Sequence, residues 1–192
     1  MKKPSSVRSE IEPLRELLRA VRTCHPDWET PSRITFTAPS GLVLPWRDWN
    51  AMVFQPILWP LLEGAYQAAR SGDGLRLIAC DEDGDHALPE AMAAVSRSAG
   101  ARLLRGHRVP AGERVWRRYA DRTKIGAAPG HFATVLAVRA AAFHLSPALL
   151  PAVYLFLEAR GARLDDDEGD VMRMVDACLI REVAWAPKLR LA

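Results

Sequence analysis

The sequence has few cysteines, and none of them belongs to a Cys-x-x-Cys pair. Its three cysteines, Cys24, Cys80 and Cys178, are odd in number and far apart along the chain. A disulfide scaffold or a zinc ribbon would need paired cysteines at short spacing. We therefore predict free thiols and a reducing compartment.

Long apolar segments are also scarce. The first residues, MKKPSSVRSEIEPLRELL, carry charges where a signal peptide would need an uninterrupted apolar run. The longest uncharged run, 140–157, contains His144, Pro147 and Pro151 and is flanked by Arg139 and Glu158. Because these residues interrupt and bound the run, we interpret it as two buried helix segments and not as a membrane span. We expect a cytoplasmic protein without membrane contact.

Sequence motifs for catalysis or nucleotide binding are missing. The loop 124–130 lacks both the Gly-Lys-Ser/Thr signature and a Gly-x-Gly-x-x-Gly turn, and LDDDEGD at 164–170 lacks the pattern of a calcium loop. Ser96 and Ser98 have histidines only at distant positions, and we interpret His131 and His144 as core or capping histidines. We predict no catalytic residues and no cofactor.

One short segment gathers potential metal ligands. Residues 80–86, CDEDGDH, combine a thiol, four carboxylates and an imidazole. No second Cys/His cluster at zinc spacing accompanies them, so we interpret the segment as a solvated acidic loop. Cys80 and His86 are the candidate ligands if the loop holds a divalent metal.

What the sequence does contain is the composition of one soluble domain: 192 residues, 49% hydrophobic and 26% charged. We predict a single domain over 1–192. Residues 1–47 would form an N-terminal helix and a β-hairpin at 33–44, where RITFT and LVL flank the turn APSG, and 48–192 would form a helical body. Pro56 and Pro60 predict a break between a short helix at 48–55 and a second helix at 60–70. Later helices are predicted from Pro110, over 135–143 at the centre of the bundle, from Pro147 to Gly161, and from Val171.

The segment 75–108 has two interpretations. In the first, a helix runs through 89–105 with Met92, Val95, Ala99 and Leu103 on one face, and Gly100 inside it needs a close neighbour to justify its cost of about 1 kcal/mol. In the second, strands near 33–44, 75–80 and 101–108 make an α/β fold with its ligand edge at 80–86. We favour a mainly α helical bundle with a short N-terminal β-hairpin.

Positive charge is concentrated between Arg97 and Lys124, where the sequence contains nine basic residues and only two acidic ones, Glu113 and Asp121. Such a surface attracts an acidic protein or a phosphate backbone, and Trp116 and Tyr119 between the arginines could stack on bases. The predicted partner-binding residues are Arg97, Arg102, Arg105, Arg114, Arg117, Arg118 and Arg122.

Two phrases resemble a known family. The stretch AVSRSAGARLLRG, which contains Ser96, Arg97, Gly100, Leu103 and Leu104, is followed by a Pro-Gly-His loop at Pro129, Gly130 and His131 and by an alanine-rich helix. Together they are similar to the central and C-terminal part of the urease accessory protein F family, over residues 89–164.

The resemblance implies an all-helical, cytoplasmic and non-catalytic protein. It implies a dimeric adaptor that assembles with a second accessory protein and a nickel-carrying GTPase during maturation of a urease-type enzyme. Two alternatives stay open at this point: a nucleic-acid-binding protein that uses the basic 97–124 surface, and an α/β enzyme with a site at 80–86.

Overall fold

The computed structural model describes residues 46–105 and 114–162, and its regular elements in these ranges are all helical. The elements are α1 (Trp46–Trp49), a π-helix (Asn50–Leu58), α2 (Trp59–Ser71), α3 (Gly74–Ala87), α4 (Glu90–Arg105), α5 (Arg114–Lys124), α6 (Phe132–Ala142), a 3₁₀ turn (Pro147–Leu149) and α7 (Leu150–Ala162). The prediction of a mainly α protein is confirmed. The predicted N-terminal helix, the hairpin at 33–44 and the helix from Val171 lie outside the described residues.

The α/β interpretation is wrong where the structure tests it, because 75–80 lies in α3 and 101–105 lies in α4. Local chemistry explains the helix. Gly72 ends α2 with a left-handed φ of 76°, and the Asp73 side chain then caps α3 by accepting a hydrogen bond from the Arg76 amide at 3.0 Å. The remaining residues of that predicted strand, 106–108, lie outside the described part of the chain.

The interpretation of 80–86 as a solvated loop is also wrong. α3 continues through this segment to Ala87, and its acidic residues divide between two faces. Leu77, Asp81 and Gly84 are buried, whereas Glu82 and Asp83 are exposed. Spacings of three and four residues place the first group on one side of a helix, which charge alone does not reveal.

The two prolines do not break the helix that contains them. The chain is helical from Trp46 to Ser71, with Pro56 inside the π-helix and Pro60 in the first turn of α2. The Trp59 amide donates to the Phe54 carbonyl five residues earlier, as the wider π-turn requires. The wide turn and the first-turn position accommodate rings that lack an N–H, so the predicted break between 55 and 60 is wrong.

The centre of the molecule is α6, in which every residue is buried. It packs mainly against α2 and α4 and also contacts α3, α5 and α7. Its many alanines let neighbouring helices approach closely, as predicted for the middle of a bundle. Even Arg139 is buried there, with its guanidinium carbon 4.7 Å from the ring centroid of Trp116 on α5.

An aromatic cluster joins the π-helix to the C-terminal part of the core. The rings of Phe54 and Tyr154 stack with centroids 5.7 Å apart, and Trp49 and Phe132 complete the cluster. Rings at these separations add to the free energy gained from apolar burial. Within 46–105 and 114–162, no helix is long and apolar enough to span a membrane.

Gly100 makes the close backbone contact that its position inside a helix predicted. A Cβ atom at this position of α4 would lie 1.9 Å from the carbonyl oxygen of Gly130, a separation that real atoms do not adopt. Gly130 has φ of 78°, which favours glycine as well. Two glycines from distant parts of the chain thus let α4 touch the backbone of the loop that precedes α6.

We predict that Gly100→Ala destabilises the protein by about 3 kcal/mol, because backbone clashes outweigh the gain in helix propensity. The free energy of unfolding in urea measures the effect. Gly74→Ala is the matched control: it lies in α3, and a Cβ atom added there would meet nothing within 4 Å, so we expect a change below about 1 kcal/mol. Equal stability of the two variants would contradict the close approach of α4 and the loop.

Candidate functional site

The candidate site lies where the loop 125–131 meets α3 and α4. α5 ends at Lys124, and the loop carries Pro129, Gly130 and His131 to the start of α6. The Phe132 amide donates a hydrogen bond to Ser96 Oγ on α4 at 3.1 Å, and Gly130 lies against Gly100. The structure therefore brings together the two phrases that are about thirty residues apart in the sequence.

A buried carboxylate from α3 holds this loop. Asp81 has no exposed surface. Its Oδ2 accepts hydrogen bonds from the Gly130 amide at 2.6 Å and the Tyr119 hydroxyl at 2.7 Å, and its Oδ1 accepts one from the His131 amide at 3.0 Å. The left-handed Gly130 points two successive N–H groups at one anion, and these N–H groups stand at the positive end of α6. We call Asp81 with its three donors the Asp81 clamp.

The Tyr119 hydroxyl, one of the three donors of the clamp, stays protonated at physiological pH. Tyr119 is buried on α5, and burial together with the charge and hydrogen bond of Asp81 raises its pKa well above the usual value of 10. The phenol therefore stays protonated and donates across the physiological pH range. The Asp81 clamp thereby joins α3, α5 and the N-terminus of α6.

A second chain of polar contacts runs from the clamp toward solvent. His131 Nε2 lies 2.9 Å from Asp85 Oδ1, Arg97 Nη1 donates to the same oxygen, and Arg97 Nη2 lies 2.8 Å from Glu90 Oε1. The His131 side chain is fully buried, Asp85 and Arg97 are about one-third exposed, and Glu90 at the outer end is 83% exposed. Burial alone would raise the pKa of Asp85, but hydrogen bonds from Arg97 and His131 outweigh it and the pKa is lowered. Asp85 is therefore an ionised acceptor at neutral pH.

The geometry assigns one tautomer to His131. Because Nε2 faces a carboxylate oxygen, it carries the proton, and Nδ1 has no hydrogen-bond partner among the described residues. Protonating Nδ1 would bury a charged donor without an acceptor. Burial accordingly lowers the pKa of His131, although the charges of Asp81 and Asp85 oppose the shift.

Serine, histidine and aspartate meet at this site, but they are not arranged for nucleophilic catalysis. Ser96 Oγ accepts from the Phe132 amide, and His131 is fully buried and bonded to Asp85. A catalytic base would need its second ring nitrogen on the serine hydroxyl, and here that nitrogen has no partner among the described residues. The contacts of Ser96 and His131 instead support the loop 125–131.

The metal candidates are not brought together. Six residues apart on α3, Cys80 and His86 lie about 120° apart around the helix axis. Cys80 is half-buried with Sγ toward Gly64 of α2, and burial raises its pKa. The ring of His86 is exposed and bonds the Glu82 carbonyl. Across the part of the chain that the structure describes, no three His, Cys, Asp or Glu side chains are grouped for a metal ion.

The predicted partner-binding arginines divide between two helices. Arg97 is half-buried in its ion pairs with Asp85 and Glu90, and Arg102 and Arg105 lie near the end of α4. The exposed members on α5 are Arg114, Arg117, Arg118 and Arg122. Trp116 and Tyr119 are buried, so they are not available to stack on bases. The role of the arginines in partner binding stays a prediction.

Sequence reasoning missed the role of Asp81 and Asp85. Both were grouped with the exposed acidic residues of 80–86 as candidate ligands. The signal that could have separated them is their spacing of four residues, in register with Leu77, which places all three on one helix face. Their partners in the loop 125–131 are close to fifty residues away and leave no local signature.

We predict that Asp81→Asn lowers the free energy of unfolding by about 3 kcal/mol, because the amide turns an N–H donor toward groups that already donate. Urea denaturation followed by circular dichroism measures the change. Asp83→Asn, on the exposed face of the same helix, is the control and should change stability by less than about 0.5 kcal/mol. A loss equal to that of the control would show that the Asp81 clamp contributes little.

We predict that protonation of His131 couples folding to pH. Its folded pKa is below the ordinary value of 6.5, so the unfolded chain binds the proton more readily, and stability falls as pH drops below about 6.5 toward the folded pKa. The lowered pKa of Asp85 acts in a separate window, below the ordinary value of 3.8. Unfolding free energies measured from pH 8 to pH 5 should fall less steeply in His131→Gln than in wild type. The exposed control His86→Gln should keep the wild-type slope, and parallel curves for His131→Gln and wild type would refute the coupling.

Comparison with known proteins agrees with the resemblance seen in the two phrases. The family model UreF matches residues 47–162, which is more than half of the chain. No curated protein and no solved structure matched it. The matched range contains the Asp81 clamp, the loop 125–131 and the contact of Gly100 with Gly130. This chain belongs to the UreF family.

Proposed function

We propose that this chain is a non-catalytic accessory protein in the maturation of a urease-type nickel enzyme and that it acts by binding other proteins. Membership of the UreF family supports the accessory role. The partners we propose are a second accessory protein and a nickel-carrying GTPase, with the chain acting as a dimeric adaptor. In this scheme the nickel ion is cargo of the assembly.

The observation that carries the proposal is the inward use of the motif residues. Ser96 Oγ and the Gly130 amide form hydrogen bonds within the chain, and Gly100 allows close contact with the backbone of Gly130. A site built for a substrate would instead direct such groups into an accessible cleft. The motif residues therefore stabilise the packing of the helices, and we infer that the exposed surface of the packed helices binds the partner proteins.

Two features connect the internal support to a surface. Tyr119 of the Asp81 clamp belongs to α5, and four arginines of the same helix are exposed. Because the clamp fixes α5 against α3 and α6, it also fixes the spacing of those charges. A preorganised charged surface loses less conformational entropy when it binds a partner.

Neither alternative function receives comparable support. The α/β enzyme is excluded in its proposed form, because 75–80 and 101–105 are helical. A nucleic-acid-binding protein retains the exposed arginines of α5 but loses base stacking, since Trp116 and Tyr119 are buried. Phosphate contacts alone position a protein on a strand and carry little sequence information.

The decisive test is complementation of urease maturation. The chain is expressed with urease subunits and the remaining accessory proteins from the same source in a host that lacks its own UreF protein. We expect urease activity and enzyme-bound nickel when the chain is present, and near-background values of both when it is omitted. Purified chain should also co-elute with the second accessory protein or the GTPase in size-exclusion chromatography.

Two variants sharpen the test. Asp81→Asn should reduce activation at a temperature near its unfolding midpoint, whereas Asp83→Asn should match wild type. If wild type neither restores bound nickel nor co-elutes with either protein, the proposed function is wrong.

A further inference from the structure

A groove on the outer surface lies between α3 and α5. Its volume is about 480 Å³, within the range of sites that hold a small ligand or a few side chains. Its apolar lining includes Leu75, Ile78 and Val115, and Arg118, Asp121 and Arg122 line it on the α5 side. We call it the α3–α5 groove.

The apolar lining of the groove includes an unusually exposed side chain. Leu75 is 82% exposed, which is the highest value among the three exposed large apolar side chains of the described residues. The others are Ile125 at 73%, directly after α5, and Met52 at 56% on the π-helix. Of these three residues, Leu75 lines the groove, and Ile125 follows the helix that forms one side of it. Apolar side chains beside a concavity, with charged residues next to them, are typical of a protein-binding site.

Charge determines the kind of partner. α5 exposes Arg114, Arg117, Arg118 and Arg122 against the single carboxylate of Asp121. Arg118 and Arg122 are one helical turn apart, so both guanidinium groups can reach toward the same groove. A guanidinium binds a carboxylate through two parallel hydrogen bonds, which favours an acidic peptide over a neutral one.

The lining distinguishes an acidic peptide from a nucleic acid. A phosphate backbone would approach the carboxylate of Asp121, and its sugars and phosphates would leave the Leu75 side chain exposed to water. An acidic peptide can place an apolar side chain in the groove and its carboxylates on the arginines beside it. The mixed lining therefore matches a segment in which acidic and apolar residues alternate.

We propose that the α3–α5 groove binds an acidic segment of a partner protein, with an apolar side chain between Leu75 and Val115 and carboxylates on Arg118 and Arg122. This inference rests on the proposed function as a protein-binding accessory factor and adds the place and chemistry of one contact. The groove shares Tyr119 with the Asp81 clamp, so the clamp holds the two sides of the groove together.

The first test uses a fluorescein-labelled peptide of alternating glutamate and leucine and measures fluorescence anisotropy. We expect Leu75→Glu, and separately the double change Arg118→Glu with Arg122→Glu, to weaken binding at least about tenfold, which is about 1.4 kcal/mol. Matched controls are Met52→Glu, an exposed apolar residue elsewhere, and Arg70→Glu, an exposed arginine on α2 that does not line the groove. Both should bind as wild type does. Because all these residues are exposed, circular dichroism should show the wild-type fold for each variant.

Three results of the peptide experiment would overturn the proposal. One is no binding of the peptide to wild type. Another is equal binding of a peptide in which serine replaces every leucine, because charge would then suffice. The third is displacement of the peptide by a single-stranded oligonucleotide that binds more tightly, which would identify the groove as a nucleic-acid site.

The second test separates this proposal from the proposed function. The groove variants and their controls are mixed with the second accessory protein and with the GTPase, and complexes are separated by size-exclusion chromatography. Assembly by wild type and the controls, but not by the groove variants, supports the α3–α5 groove as a contact. Equal assembly by all variants rejects the groove and leaves the proposed function intact. If wild type assembles with neither protein, the proposed function fails, and the peptide experiment alone decides whether the groove binds acidic segments.

Discussion

The carboxylate of Asp81 is the contact on which the arrangement of the described helices depends. It is buried, and it accepts hydrogen bonds from Tyr119, Gly130 and His131, which lie 38 to 50 residues further along the chain. Burying a charge is costly unless hydrogen bonds replace those lost from water. Here two backbone amides at a helix N-terminus and one phenol supply those donors. The helices that carry them are consequently fixed relative to α3.

The composition of α6 explains why such a contact is needed. Its residues are all buried, and many of them are alanines, which allow close approach but offer little shape to prevent one helix from sliding along another. Directional hydrogen bonds at its N-terminus, from the Gly130, His131 and Phe132 amides to Asp81 and Ser96, restrict that freedom. Directional contacts of this kind specify one packing arrangement among several of similar apolar burial.

Sequence patterns predicted the helices that are strongly periodic, but they did not predict how those helices meet. The helix through 89–105 follows from the spacing of Met92, Ala99 and Leu103, and the cost of Gly100 correctly indicated a close neighbour. That neighbour is the Gly130 carbonyl, and because the contact is tertiary, the sequence around Gly100 does not indicate it. The same reason explains the errors at 80–86: a run of acidic residues looks solvated until a distant loop supplies donors to one face of it. The break expected between Pro56 and Pro60 was wrong because Pro56 lies in a wider π-helix and Pro60 lies in the first turn of α2, where a missing N–H costs little.

The position of the candidate site was predictable in part. The residues of both family phrases were named from the sequence, and the structure shows that Ser96, Gly100, Gly130 and His131 contribute to one junction. The interpretation of His131 as a core or capping histidine agrees with its burial at the start of α6. The role of Ser96 could not be inferred, because nothing in a serine indicates whether its hydroxyl faces a ligand or a backbone amide. Arg97 illustrates this point. It was grouped with the surface arginines by charge, yet it forms ion pairs with Asp85 and Glu90.

The π-helix at Asn50–Leu58 has a consequence for evolution by insertion and deletion. A π-turn holds one residue more than an α-turn in the same length of axis, so loss of one residue there would restore α-helical hydrogen bonding. The preceding residues would then rotate by about 100° around the axis. Trp49, now against Phe54 in the aromatic cluster, would swing out of the core. The extra residue thus acts as a spacer that sets the angular phase between the start of the helix and the remainder of the bundle.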